Sequence, residues 1–341
     1  MKPVAIHKYY DDLWTDGWIT HCQENSIPYE VINGYRTDTI QNLQRFSALF
    51  WNFNPWRYED LLFARHILKT AEAMGLKVFP NDNTAWHYDD KIAQKYLLES
   101  IQAPMADTWV FYDRAEAMDW LQKAPLPLIG KLRRGAASKN VFLLKTRSQA
   151  EAYCKKMFGK GINPAPELFN DMGVRMNKVR KLKSGREVVR AFAKLAKKIS
   201  SARHFSQVER GYALLQEFMP DNQHDVRIFV IGNKAFGFTR NMRKGDFRAS
   251  GSGSFDYSRE RMPDETVKAA YEVSQKLGLQ AMNYDFLKDK NGKYKLIEMS
   301  FGTFAKPTYD CPGYWDPKLK WHEGHHWPQA EIYKVVVEGG N

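Results

Sequence analysis

The sequence holds only three cysteines, Cys22, Cys154 and Cys311, far apart and odd in number. That excludes a disulfide framework and points to a reducing compartment, with cytoplasm the expected location. Long apolar runs are missing too: no stretch reaches the roughly 18 residues that read as a membrane-spanning helix. The opening Met1-Lys2-Pro3-Val4-Ala5-Ile6-His7-Lys8 meets charge quickly, so no secretion leader is expected. No G-x-G-x-x-G opens the first expected helix, which argues against a dinucleotide role for the N-terminal region.

What is present suits a multidomain globular chain. At 341 residues, 43% hydrophobic and 14% aromatic, the sequence can build two or three domains with sizeable cores. The net charge is +12, and most of it is local. Between Lys155 and Arg210 lie fifteen Lys or Arg against four Asp or Glu, an excess of eleven. Such a block fits an acidic partner such as nucleic acid, an anionic glycan or a membrane surface. It also fits a solvated helical face, because Arg186 to Ile199 reads as an amphipathic helix.

The first eighty residues alternate in the α/β manner. Strands are expected at Val4–Ile6, Tyr29–Ile32, Phe46–Phe53 and Val78–Pro80, and helices at Asp12–Asn25 and from residue 58 to Met74, the latter stopping at Gly75. Helices follow at Asp89–Ser100 and Asp113–Gln122, the second with apolar Ala115, Met118 and Leu121. Pro127–Leu132 is an apolar strand carrying Lys131. Strands resume at Tyr212–Met219, Asp225–Ile231 and Ala235–Thr239, and Pro263–Leu277 is a helix ending at Gly278. Ala281–Leu287 and Tyr294–Met299 flank Asn291-Gly292, a strong hairpin signal. The tail from Tyr309 is rich in Trp, Tyr, His and Pro.

Several charged residues fall where charge is costly. Lys131 inside an apolar strand calls for an anion. The turn Gly135-Ala136-Ala137-Ser138 behind it lets backbone N–H groups approach phosphate oxygens closely. Gln216-Glu217-Phe218 ends one strand and Asp225-Val226-Arg227 opens the next. Arg240, Arg243 and Arg248 follow, the last beside a Gly/Ser run suited to holding anionic oxygens. If Asn291-Gly292 is a two-residue loop, Asp285 faces Glu298 across the hairpin. Opposed carboxylates repel unless a cation such as Mg²⁺ lies between them.

The order Lys91, Lys131 with its small-residue loop, Gln216-Glu217-Phe218, Asp225-x-Arg227, Arg240, Asp285 and Glu298-x-Ser300 resembles the ATP-grasp superfamily. Within it, the glutathione synthetase and ribosomal-protein glutamate ligase group is the most similar. The resemblance runs from about Asn81 to Ser300. It implies an α/β fold of the α+β ATP-grasp kind: an N-terminal pre-ATP-grasp domain (1–80), a two-subdomain ATP-grasp unit (81–308) with a basic helical insertion at 155–210, and a tail (309–341). It implies Mg-ATP as cofactor. Lys91 and Lys131 would meet ATP phosphates under the loop of Gly135, Ala136 and Ser138. Gln216, Glu217 and Phe218 would form the adenine hinge, and Asp225 matches the acid that opens the next strand. Arg227 and Arg240, with Arg248 after them, would lie near the transferred phosphoryl group, and Asp285, Glu298 and Ser300 would hold the metal. The family pattern ends Glu-x-Asn, and Ser300 offers a hydroxyl in place of the amide oxygen. The implied reaction is carboxylate–amine ligation through an acyl phosphate, on an amino acid, a peptide or an acidic sugar of a surface glycan.

Other readings stand beside it. A small-molecule phosphotransferase would stop at the phosphorylated product. A nucleic-acid-binding protein would use the basic block. His322-Glu323-Gly324-His325-His326 satisfies H-E-x-x-H, but that motif needs a helix, and Gly324 and Pro328 disfavour one. The aromatic tail is expected to pack over the active site.

Overall fold

This computed structural model describes residues 2–9, 12–55, 57, 59–135, 140–164, 208–242, 254–302 and 305–339. They fall into two compact units, Met1–Ala106 with Met219–Asn341, and Asp107–Phe218. Ala136, Ser138, Arg243, Arg248 and most of the basic segment, including the helix expected at Arg186–Ile199, lie outside the described residues.

The first unit opens with a parallel sheet of order β2-β1-β3-β4, formed by β1 (Val4–His7), β2 (Tyr29–Ile32), β3 (Ala48–Phe50) and β4 (Lys77–Phe79). All four residues of β1 are buried, as expected for a central strand covered on both faces. The helix Leu13–Glu24 is capped by Asp12, whose carboxylate accepts from the N–H groups of Trp14 and Thr15. Its buried residues, Trp14, Thr15, Trp18 and Cys22, follow helical spacing. The third strand is shorter than expected. Pairing stops at Phe50. The Trp51 N–H still donates to the Phe79 carbonyl at 2.9 Å, while its ring stacks on His7, centroids 3.6 Å apart, and its indole N–H donates to Asp60.

His7 and His87 are buried in this unit. Burial, with Arg57 nearby for His7, holds His7 down at about 3, and burial holds His87 at about 4. The unfolded chain therefore binds protons first. The stabilisation from both rings is complete above about pH 6.5 and is lost as the pH falls towards 4 and below, on the order of 4 kcal/mol for His7 alone. We expect His7→Gln to flatten the fall of urea-unfolding free energy between pH 6.5 and 4.5. An unchanged slope would contradict this assignment.

The second sheet of this unit is antiparallel, in the order β13-β12-β9-β10-β14-β15, with β11 also pairing to β10. Its strands are β9 (His224–Ile231), β10 (Lys234–Asn241), β11 (Phe255–Asp256), β12 (Ala281–Lys288), β13 (Tyr294–Ser300), β14 (Gly313–Trp315) and β15 (Trp321–Glu323). The helix Asp264–Leu277 buries Val267, Ala270, Tyr271 and Ser274 and ends at Gly278 in the left-handed conformation, φ 62°. The Ser274 hydroxyl meets that of Tyr284, 2.6 Å away, so this helix covers the face of β12 that carries Tyr284. Asn283 and Asp285 alternate to the opposite face.

The aromatic tail is built into this fold. β14 and β15 extend the sheet, and the helix Pro328–Tyr333 reaches the parallel sheet, where Tyr333 stacks on Phe50 and Gln329 donates to the Trp14 carbonyl. The H-E-x-x-H segment is not a helix: His322 and Glu323 end a strand, and residues 324–326 are irregular. Its first histidine pairs with Asp316 at 2.9 Å and its last with Glu331 at 3.1 Å, and no metal-ligating cluster of three His, Cys, Asp or Glu occurs among the described residues.

The second unit is an antiparallel sheet of order β5-β8-β6-β7, from β5 (Thr108–Phe111), β6 (Leu128–Lys131), β7 (Val141–Leu144) and β8 (Ala213–Glu217). Helix Arg114–Leu121 buries Ala117 and Leu121 and leaves Ala115 exposed. Helix Arg147–Met157 starts with a reciprocal cap between Thr146 and Gln149. Gly130 lets it come close: a Cβ there would stand 3.0 Å from the Tyr153 ring, whose hydroxyl donates to the Lys131 carbonyl. No helix among the described residues is long and apolar enough to cross a membrane.

Candidate active site

The hairpin of β12 and β13 sets the site. Asp285 does face Glu298, but not through a two-residue loop. The turn is Lys290-Asn291-Gly292, three residues, with Gly292 at φ +80° and Asp289 bonded to Lys293. That loop alone would put Asp285 out of step with Glu298. A one-residue bulge at Ile297, between the pairs Phe286–Leu296 and Asp285–Glu298, restores the pairing. Two departures from the expected geometry cancel.

Register then assembles charges across the sheet face. Asp225 on β9 faces Arg240 on β10, and Arg227 on β9 faces Asp285 on β12. Arg227 grips Asp285 in a fork, Nε to Oδ1 at 2.6 Å and a terminal nitrogen to Oδ2 at 2.7 Å. Arg240 forks onto Asp225 and also donates to Asp285 Oδ2 at 2.7 Å. Glu298 meets Lys91 at 3.1 Å. Lys91 begins the helix Lys91–Ser100, which Asp90 caps by accepting from the Ala93 N–H, and the cap fixes where the lysine emerges. Among the described residues, three carboxylates and three cations make a neutral cluster. Their repulsion is thus already compensated within the protein and does not by itself require a metal.

The electrostatics follow from partner counts. Burial, with the Asp285 carboxylate, pushes Asp225 up, and Arg240 and Arg227 only partly offset this. For Asp285 burial acts the same way, but Arg227 and Arg240 together outweigh it and hold the carboxyl below its usual range. Burial opposes the charge of Lys91, but Glu298, Asp89 and Asp90 outweigh it and raise its amine.

In the second unit Lys131 is buried on β6, and Gly135 follows with φ +132°. Gln216 donates to the Thr108 hydroxyl at 3.0 Å, and Glu217 accepts from the Asp107 N–H at 2.9 Å, so both side chains of the expected hinge brace β8 against β5. Phe218 follows, half-buried. A buried carboxylate not singled out from the sequence, Glu209, ties Arg134 at 3.0 Å and the Tyr212 hydroxyl at 2.8 Å. It appeared in the sequence only as one acid in a basic block.

Residues 167–303 match the RimK-like ATP-grasp domain family. That match assigns an ATP-grasp domain to this stretch of the chain. The fold agrees with solved ATP-grasp structures. The RimK domain ATP-grasp protein of Sphaerobacter thermophilus superposes with a TM-score of 0.57 at 13% identity, over 99% of this chain and 100% of its own. D-cycloserine synthetase DcsG gives 0.57 at 15%, over 98% and 99%. The ATP-grasp ligase PsnB, complexed with a minimal precursor, Mg and ADP, gives 0.51 at 13%, over 89% and 90%. No curated protein matches the sequence.

The side chains of this cluster fit a magnesium ion. Three of the roughly four lone-pair positions of Asp285 are taken by arginine N–H groups, which leaves one on Oδ1. Glu298 is only half-buried and adds carboxylate oxygen. The Ser300 hydroxyl lies two residues on, in contact with Gly302 N at 3.2 Å. Hard oxygens, few in number, are what Mg²⁺ takes from a protein when phosphates complete its shell.

Proposed function

We propose that this protein is a carboxylate–amine ligase that forms an amide through an acyl phosphate, with a peptide or small acidic molecule as the activated substrate. The charged cluster of Arg240, Asp225, Arg227, Asp285, Glu298 and Lys91 on one sheet face carries the reading. The domain reading goes with it: residues 1–80 as the pre-ATP-grasp domain, 81–308 as the ATP-grasp domain, 309–341 as its tail, and the cytoplasm as location.

Bound Mg²⁺ supplies neutralisation of phosphate charge, held by Asp285 and Glu298. The chain's own groups do the rest. Lys91 presents a raised amine to phosphate oxygens, while Arg227 and Arg240, locked by the two aspartates, offer guanidinium charge to the phosphoryl group in transfer. In the second unit, Lys131, Gly135 and the 216–218 segment are assigned to the nucleotide by motif order. The substrate carboxylate oxygen forms a bond to the γ-phosphorus as the bond to the ADP oxygen breaks. The amine then forms the C–N bond, inorganic phosphate leaves, and the amine proton passes to solvent. PsnB and D-cycloserine synthetase support a peptide or small-molecule substrate.

ADP release with Mg-ATP, measured against pools of amino acids, peptides and uronic acids, tests this. We expect release that requires both a carboxylate and an amine. Release with a carboxylate alone, yielding a stable phosphorylated product, would make the protein a phosphotransferase instead.

A further inference from the structure

Asn283 stands two residues before Asp285 on β12, so both side chains point to the same sheet face. Across the hairpin its register partner is Ser300, as Glu298 is that of Asp285. These four positions form a square of oxygen-bearing side chains. Asn283 is 2% exposed. Its amide nitrogen donates to the Ser300 carbonyl at 3.1 Å, which fixes the orientation of the amide. Its Oδ1 is buried and has no hydrogen-bond partner among the described residues.

An orphaned amide oxygen in a core costs about 1–3 kcal/mol. Leu or Val at this position would avoid that cost in a strand already rich in Met, Tyr and Phe. Asn brings a hard carbonyl oxygen to the sheet face that carries the two carboxylates, while the Ser300 hydroxyl is already in contact with the Gly302 backbone. We propose that Asn283 Oδ1 is an oxygen ligand of the magnesium held by Asp285 and Glu298, supplied from β12 opposite Ser300.

The inference rests on the cluster being the Mg-nucleotide site, so the experiment separates the two. Mn²⁺ replaces Mg²⁺, and the free-Mn²⁺ paramagnetic resonance signal is titrated with full-length protein in the presence of ADP. Wild type, Asn283→Leu, Ser300→Ala and Asp285→Asn are compared, with thermal melting recorded without metal. We expect Asn283→Leu to weaken Mn²⁺ binding by about tenfold or more. Its metal-free melting should stay close to wild type, since the lost bond to Ser300 is offset by removal of the orphaned oxygen. Ser300→Ala should weaken binding less than Asn283→Leu does, and Asp285→Asn should lose binding.

Wild-type affinity in Asn283→Leu, with loss in Asp285→Asn, overturns the role of Asn283 and leaves the metal site standing. That is also the result if a buried water occupies the oxygen. Wild-type affinity in Asp285→Asn overturns the site itself and this inference with it. Should Asn283→Leu not fold, Asn283→Asp decides: tighter Mn²⁺ binding than wild type supports a ligand at this position, and equal or weaker binding overturns it.

Discussion

Asp285→Asn is expected to lower kcat/KM for ADP release by about a thousandfold or more, some 4 kcal/mol of transition-state stabilisation. Asp285 organises the cluster: it receives a fork from Arg227 and a third bond from Arg240, and it is the assigned metal ligand. An amide of the same shape keeps one acceptor oxygen but turns an NH₂ group towards guanidinium donors. The arginines then lose the anion that aims them, and the metal loses a charge. The fold should survive, because Arg240 keeps Asp225. We expect a thermal-melting loss corresponding to about 1–3 kcal/mol. Glu298→Gln, at a half-exposed position with one ion pair, should cost less activity. A Mg²⁺-dependent rate within tenfold of wild type in Asp285→Asn would remove this residue from the mechanism.

Arg240→Met should have the largest effect on stability. Arg240, Asp225 and Asp285 are all buried, and Arg240 is the guanidinium forked onto Asp225. Removing one partner of a buried ion pair costs about 3–5 kcal/mol, because the other charge stays behind, and whole domains are stable by only about 5–15 kcal/mol. The pH dependence carries a sign. Asp225 is already raised by burial, against the pull of Arg240. Without the guanidinium its carboxyl rises further, so the folded variant binds a proton that the unfolded chain does not. The deficit relative to wild type is therefore greatest near pH 7 and shrinks towards pH 5. Asp225→Leu combined with Arg240→Met should recover much of the loss, since an apolar pair leaves no buried charge. Urea unfolding at pH 7 and 5 measures all of this. Equal deficits at both pH values would show that lost packing, not an unpaired charge, is responsible.

How legible the site was in the sequence depends on what each residue needed. Lys91 and its cap Asp90 are neighbours in sequence, so the helix start could be read directly. The pairing of Asp285 with Glu298 was anticipated from an assumed two-residue loop, whereas the fold uses a three-residue loop and a bulge at Ile297. No local rule specifies where an antiparallel strand takes an extra residue, because bulges answer to the packing of both faces. Asn283 was legible in principle, two residues from Asp285 in an alternating strand. Nothing local said that its oxygen would be left without a partner.

The sequence by itself determined the alternation of strands and helices, the helix caps and stops, and the order of charged residues that resembles ATP-grasp proteins. These depend on neighbours a few positions apart and on side-chain chemistry carried along the chain. Tertiary structure alone decided that Arg227 and Arg240 converge on Asp285, that Gln216 and Glu217 brace a strand edge, and that the aromatic tail adds strands to the sheet. Each of those brings together residues far apart in sequence. Their meeting is set by sheet register and by burial of apolar faces, which act only once the chain has closed on itself.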